Sequence, residues 1–576
     1  MKRLLRYLQS YKKELILGPL FKLLEAVFEL TVPVVMARII DVGITNRDSA
    51  YVLKMSGLIV VLGVCGLCFA ITCQYFAARC AYGFGTELRA ALYKHICSLS
   101  YSGIDRVGTS SLVNRLTNDT NTVQSGVNMF IRLGTRSPFL IIGAAVMAVT
   151  INARLALIFF VVAPLISLII FLIMRRTIPM YKATQKKLDT AAMQTRESLE
   201  GARVIRAFSR QKNETEEFGE TVDEIAVSSA AVGKISAILN PAAFMIMDLG
   251  IVFILWSGGA KVSTGSLTQG ELTAFTNYMT QILLALVVFA NLIVTFTKAL
   301  ASANRISEVF AIAPEENETA LTKGGDGNIL EFRNVSFMYD KAGEDSVKNV
   351  SFKLRNGDML GIIGGTGSGK STLARLIPCF YRATSGEVLV SGVNVNDCEL
   401  DALRRRIGIV PQKAVLFSGT VRDNMKWRRQ DATDAEIIEA LKTAQAWDFV
   451  SSKPDGLDSF ISQGGRNFSG GQRQRLSIAR ALVGCPDILI LDDPTSALDY
   501  ATDLALRRAI KEKMSETTVI MITQRATSVM DADRIIVMDD GECVGSGTHS
   551  ELIESCPVYR EIYDSQINSR EDGNNA

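Results

Sequence analysis

Six apolar stretches dominate the chain before residue 300, and they restrict its fold more than any other feature. They fall near 15–40, 55–78, 128–150, 155–174, 241–260 and 274–298. Each reaches the roughly 20 residues that a helix needs to cross a bilayer. A soluble domain cannot hide that much continuous apolar surface, so the first half is expected to be a helical membrane domain. Mean hydropathy is +0.21 over the whole chain, although the second half reads as an ordinary soluble sequence. The second and third spans, and the fourth and fifth, are separated by long polar stretches without Gly/Pro clusters. These are expected to continue as helices into the cytosol. Lys and Arg concentrate at the N-terminus and in the stretch from Arg175 to Lys234. By the positive-inside rule, the N-terminus, both long stretches and everything after 300 are cytosolic. Lys2, Arg3, Arg6, Lys12 and Lys13, interleaved with Leu and Tyr, suit an amphipathic helix on the inner membrane surface. No small-residue cleavage site follows this start.

Charge and rare residues narrow the function classes. The net charge of +3 gives no footprint for a nucleic-acid partner. None of the ten Cys falls in the short loops placed outside the cell. Cys65 and Cys68 form a C-x-x-C inside an apolar helical run, where helix packing is the expected role. His95 and His549 are the only histidines, which excludes a His-rich metal site. The Asn-x-Ser/Thr triplet at Asn317 lies on the cytosolic side and is read as a chance match.

Ionisable residues inside spans are costly unless paired or facing water. Lys22, Glu25 and Glu29 share one face of the first span, and Asp248 lies in the fifth. Two readings stay open. Glu29 and Asp248 are candidate contacts for a cationic amphiphile in a central cavity. Alternatively, Lys22 and Glu25 form a structural pair and the rest make interhelical hydrogen bonds. Gln281 and Asn291 in the sixth span are further candidates for the cavity lining.

A polar linker is expected over 314–328, dividing a membrane domain, 1–313, from a soluble α/β domain, 329–576. In that domain Gly364-Gly365-Thr366-Gly367-Ser368-Gly369-Lys370-Ser371 follows the apolar strand Met359–Ile363 and opens a helix. This is the context required of the G-x-x-x-x-G-K-[ST] phosphate loop. The glycines let backbone N–H groups face phosphate oxygens, and the helix start adds its dipole. Lys370 supplies a charge to the β- and γ-phosphates, and Ser371 a hydroxyl to Mg²⁺, with Thr372 next to it. Ile488-Leu489-Ile490-Leu491-Asp492 is a buried strand ending in a carboxylate, placed to hold the same Mg²⁺ through water.

Between these motifs runs Asn467-Phe468-Ser469-Gly470-Gly471-Gln472-Arg473-Gln474-Arg475. This string resembles the signature of the ABC transporter superfamily, with Phe468 where Leu is usual. The resemblance implies a type IV exporter half-transporter: an all-α six-helix transmembrane domain followed by an α/β P-loop ATP-binding cassette. It implies that Tyr339 stacks on adenine and that Gln412 senses Mg²⁺ and the membrane domain. Ser496-Ala497-Leu498-Asp499 matches the D-loop. Ser469, Gly470, Gly471 and Gln472 would face the γ-phosphate of ATP held by the opposite subunit. Ser98–Asp119, with Gly108 and Asn114–Asp119, resembles the first coupling region, and Glu197–Phe208 the second intracellular loop.

Two positions depart from the family pattern. Asp493 stands where a Glu polarises the attacking water, and its carboxylate is one methylene shorter. Gln524 stands where a His contacts the γ-phosphate, and it cannot become cationic. Together they resemble the degenerate subunit of bacterial heterodimeric multidrug exporters. The expected function is an ATP-driven exporter subunit for hydrophobic or amphipathic compounds, such as drugs or lipids, in the bacterial inner membrane. Its partner would be a second half-transporter with the usual Glu and His. The alternatives are a homodimeric exporter of lipid or peptide with weak ATPase, and an ATP-gated regulatory or channel-like protein.

Overall fold

The computed structural model describes residues 2–315, 327–340, 342–495 and 497–574. Most of the expected linker and its Asn317 triplet, and Ser496 of the D-loop match, lie outside the described residues. The chain divides into two compact units. One comprises 1–97 and 109–312, and the other 98–108 and 313–576.

The first unit is entirely helical. Five of its helices are long and apolar enough to cross a bilayer: Ser49–Cys97, Thr109–Ile151, Ala153–Glu200, Gln211–Ser263 and Gln269–Ala311. The first expected span falls on Lys12–Arg38, 27 residues long. It does not reach the same composition, because Lys22, Glu25 and Glu29 interrupt its apolar run. By length and composition the described residues thus hold five apolar helices, and this charged helix stands at the first expected span. Ser49–Cys97 has 49 residues, about 74 Å at ~1.5 Å per residue. That is more than twice the ~30 Å of hydrocarbon in a bilayer. The long polar stretches are thus continuations of the membrane helices. In the polar part of the helix Thr109–Ile151 the backbone widens into a π-turn at Arg115–Asp119. Asp119 is buried there and takes two bonds from the Arg305 guanidinium, at 2.9 and 2.5 Å.

The second unit is built on a six-stranded sheet. Its order is Glu542–Gly547, Arg534–Asp539, Met359–Gly364, Thr518–Thr523, Ile488–Asp492, Ile407–Val410. All neighbours are parallel except the first pair. Successive side chains of a strand point to opposite faces, and here both faces are apolar. Leu489, Leu491, Val519 and Met521 enter one buried cluster. Ile488, Ile490, Ile520 and Ile522 enter the other. Burial on both faces explains why these strands read as unbroken apolar runs. A second, antiparallel sheet contains Asn328–Phe337 between Val347–Arg355 and Ser385–Val390.

The short helix Tyr101–Val107 groups with the second unit, although its sequence position lies within the expected membrane domain of 1–313. The reason is chemical. Tyr101 stacks on Phe380 with ring centres 4.3 Å apart, and Tyr381 donates its hydroxyl to Asp105 at 2.5 Å.

Candidate nucleotide site

The parallel ladder brings three chain segments to one sheet edge. Ile363 lies opposite Thr523, and Ile522 opposite Asp492. The chain therefore leaves the sheet side by side at the phosphate loop, at Asp492-Asp493 and at Thr523-Gln524. The neighbouring strand Ile407–Val410 exits next to Leu491 and leads to the exposed Gln412. Ligands of α/β sheets bind at the carboxyl ends of strands.

Within the loop, Gly369 has φ +91°, and a Cβ there would lie 2.3 Å from the Ser346 carbonyl. Only glycine fits that turn. Gly364, Thr366, Gly367 and Ser368 form the rest of the curve. The Lys370 ammonium is folded onto its own loop, bonded to the Gly365 carbonyl and, at 3.1 Å, to Ser368 Oγ. Burial pulls its pKa down, while Asp492 and Asp493 act in the opposite sense. A lysine held this way is ready to exchange loop contacts for phosphate oxygens.

Ser371 donates to Asp492 Oδ1 at 2.8 Å. Burial pushes the Asp492 carboxyl above its ordinary pKa, against the Ser371 hydrogen bond and the charges of Arg375 and Lys370. A desolvated carboxylate beside a hydroxyl is suited to a divalent cation. Among the described residues no group of three or more His, Cys, Asp or Glu could hold a metal alone. The Ser371 hydroxyl and the Asp492 carboxylate are oxygens of the kind suited to Mg²⁺, which binds through one or two protein oxygens together with substrate phosphates and water.

Tyr339 is set by its neighbours. Its hydroxyl meets Thr372 Oγ1 at 3.1 Å. Phe337 and Tyr381 meet its ring nearly at right angles, with centres 4.7 and 5.2 Å away. A cavity of about 640 Å³ adjoins this cluster, lined also by Asp105, Glu315 and Arg382. Tyr381 and Asp105 were not legible as site residues. The aromatic pair Phe380-Tyr381, about ten residues past the phosphate loop, carries no spacing signal of its own.

Asp493 occupies the left-handed region, φ +46°. Its N–H is bonded to the Ile522 carbonyl at 2.9 Å. Gln524 directs its side chain outward, and its own carbonyl accepts from Gln566 Nε2 at 2.7 Å.

The signature segment is locally well determined. Ser469 caps Gly470–Leu482 reciprocally: Gln472 N–H donates to Ser469 Oγ at 3.3 Å, and Ser469 N–H donates to Gln472 Oε1 at 3.0 Å. Gly470 is exposed and Gly471 half-buried. A Cβ on Gly471 would lie 2.9 Å from the Ala497 carbonyl, so the signature helix and the D-loop touch there. Phe468 is buried, packs edge-on to Phe449, and lies under the Lys453 ammonium.

In the first unit, Lys22 and Glu25 form an ion pair at 2.6 Å. Glu29 is paired with Arg136 at 2.7 Å, and its carbonyl accepts from Gln281 at 3.4 Å. Asp248 and Asn291 are exposed on the isolated chain. Arg136 lies within the expected third span, and the sequence reading of charges did not count it.

Comparison with known proteins agrees with this geometry. The profile of the ABC transporter transmembrane region matches residues 15–286, and a profile described as ABC transporter matches residues 347–496. The chain is 35% identical to an ABC transporter ATP-binding protein of Bacillus subtilis, YfiB, covering 98% of this chain and 99% of that one. It is 31% identical to an ATP-dependent lipid A-core flippase of Syntrophus aciditrophicus, covering 87% of this chain and 84% of that one. In fold it is similar to a bacterial Atm1-family ABC exporter with ATP bound. The TM-score is 0.82 at 23% identity, over 96% of this chain and 98% of the other. The chain is therefore a multi-pass membrane protein of the ABC transporter family, with transmembrane region and ATP-binding domain in one polypeptide.

Proposed function

We propose that this protein is one half of a heterodimeric ATP-driven exporter and that its own nucleotide site holds ATP but hydrolyses it slowly. The observation behind this reading is the pairing of Asp493 and Gln524 in a site whose other parts are in place. In the proposed assembly two cassettes enclose two ATP molecules head-to-tail. Tyr339 takes the adenine. Gly364 to Thr372 takes the phosphates, with Lys370 as the point charge. Ser371, Asp492 and Gln412 would hold Mg²⁺, which would supply positive charge against the charge that develops on the phosphates.

Asp493 orients water poorly, because its carboxylate is held back by one methylene. Gln524 offers a hydrogen bond to the γ-phosphate but no positive charge. The intact Ser469–Gln472 segment completes the other site, on the partner's phosphate loop, where hydrolysis resets the cycle. The partner carries the usual Glu and His.

The substrate class is hydrophobic or amphipathic. Supporting this are the lipid-acting relative and Asp248, an exposed carboxylate within a membrane helix. Glu29 is neutralised by Arg136, so Asp248 is the stronger of the two candidates for a cationic group. Vanadate trapping with a photoreactive ATP analogue tests the asymmetry in the intact transporter. The expected result is trapped ADP on the partner and untransformed ATP on this chain. Equal trapping on both chains contradicts the proposal.

A further inference from the structure

The C-terminal helix Pro557–Asn574 is anchored along one face. Tyr559 is fully buried, and its hydroxyl meets His549 Nδ1 at 2.7 Å. Ile562 and Tyr563 pack against the same apolar cluster of the cassette. The Arg560 guanidinium donates to the carbonyls of Ile553 and Glu554 at 2.6 and 2.9 Å. Residues three, four and seven apart share a helix face. The next side chain on the face of Tyr559, Ile562 and Tyr563 is therefore Gln566.

Gln566 reaches a single loop with both ends of its carboxamide. Nε2 donates to the Gln524 carbonyl at 2.7 Å, and Oε1 accepts from the Ala526 N–H at 2.9 Å. From the sheet side, Thr523 Oγ1 accepts from the Arg525 N–H at 3.0 Å. The backbone from 523 to 526 is thus held by the strand on one side and by the C-terminal helix on the other. The Gln524 side chain is itself exposed, so where it points depends on this backbone clip.

We propose that Gln566 is a positioning residue for the nucleotide switch: the C-terminal helix, through its carboxamide, holds Gln524 in the orientation that meets the γ-phosphate. The inference rests on the reading of Gln524 given above. Without the clip, the loop's carbonyl and N–H turn to water and the segment gains conformational freedom. ATP then loses a contact that ADP never makes.

The test uses the full-length chain with its copurifying subunit in lipid nanodiscs. Release of photoreactive ATP and ADP is followed on this chain's own band, and hydrogen exchange on the peptide containing Ala526. Gln566→Ala is compared with Asp564→Ala, an exposed change on the same helix. For Gln566→Ala the expected result is Ala526 exchange and ATP release each faster by about fivefold, as for the loss of about one net hydrogen bond. ADP release stays unchanged, the thermal midpoint falls by no more than about 4 °C, and Asp564→Ala behaves as wild type. Faster release of ATP and ADP alike would show a merely structural role and overturn the proposal. So would unchanged ATP release in Gln566→Ala when Gln524→Ala speeds it. If Gln524→Ala leaves ATP release unchanged, the role assigned to Gln524 fails, and the clip's function with it.

Discussion

Asp493→Glu isolates a single methylene in an otherwise fixed frame. The backbone at 493 cannot advance toward the phosphates, because its N–H is bonded to the Ile522 carbonyl at 2.9 Å and Asp492 is in ladder register with Ile522. The reach of the carboxylate is therefore set by side-chain length. Glu adds about 1.5 Å, one C–C bond. Misplacement of a reacting group by about 1 Å is worth about 100-fold in rate, or about 2.7 kcal/mol of barrier. The backbone conformation acts in the opposite sense. Position 493 has φ +46°, a region that Asp tolerates better than Glu because its short side chain can bond locally. The substitution should therefore destabilise the cassette by up to about 1 kcal/mol while accelerating hydrolysis. The assay is single-turnover hydrolysis in a pair whose partner has lost its general base, so that only this chain's site contributes. The expected result is a rise of about 10- to 100-fold with a lower thermal midpoint, and a further gain when Gln524→His is added. No rise in either the single or the double variant would refute the reasoning from reach.

Three further outcomes follow from the geometry. Phe468→Ala empties a buried ring site immediately before the signature cap and should lower cassette stability by about 3–5 kcal/mol, read by thermal unfolding. Phe468→Leu should remain within about 1.5 kcal/mol and keep the partner-site ATPase. Burial raises the Asp492 pKa, so Mg²⁺-dependent ATP binding should weaken on acidification sooner than an ordinary carboxylate would allow. The unliganded cassette shows the opposite sense at this residue. A raised folded pKa contributes stability that is present at low pH and lost as pH rises through it. ATP-binding titrations across the acid range check the first and thermal unfolding of the nucleotide-free protein over the same range checks the second, with Asp492→Asn as control in each. Arg136→Gln strands the Glu29 carboxylate within the membrane unit and should lower the thermal midpoint in nanodiscs. The double change with Glu29→Gln should recover most of the loss, with a coupling of about 1–3 kcal/mol.

The parts of the site that the sequence made legible are those encoded by local spacing. The phosphate loop, the strand ending at Asp492 and the Ser469 cap each carry their geometry within a few adjacent residues. The long helices were legible because their apolar runs pass into polar ones without a breaker. What stayed hidden depends on contacts between distant segments. Tyr101 and Asp105 meet Phe380 and Tyr381 across some 276 residues of chain, so nothing near 98–108 marks it as part of the cassette unit. Glu29 finds Arg136 107 residues away. Counting charges span by span misses such a partner. Gln566 sits in a polar C-terminal segment, and only the helix face fixed by Tyr559 shows what it touches. The charged first helix also shows that composition alone undercounts membrane-domain helices when their ionisable groups are paired within the fold.

The most direct test of the asymmetric exporter is ATPase activity in lipid, first for this chain alone and then with its partner subunit. The account predicts little hydrolysis by the lone chain. It predicts full activity in the pair, and loss of that activity when the partner's general base is removed. Full-rate hydrolysis by the lone chain would show that Asp493 and Gln524 are adequate catalysts, and would contradict the account.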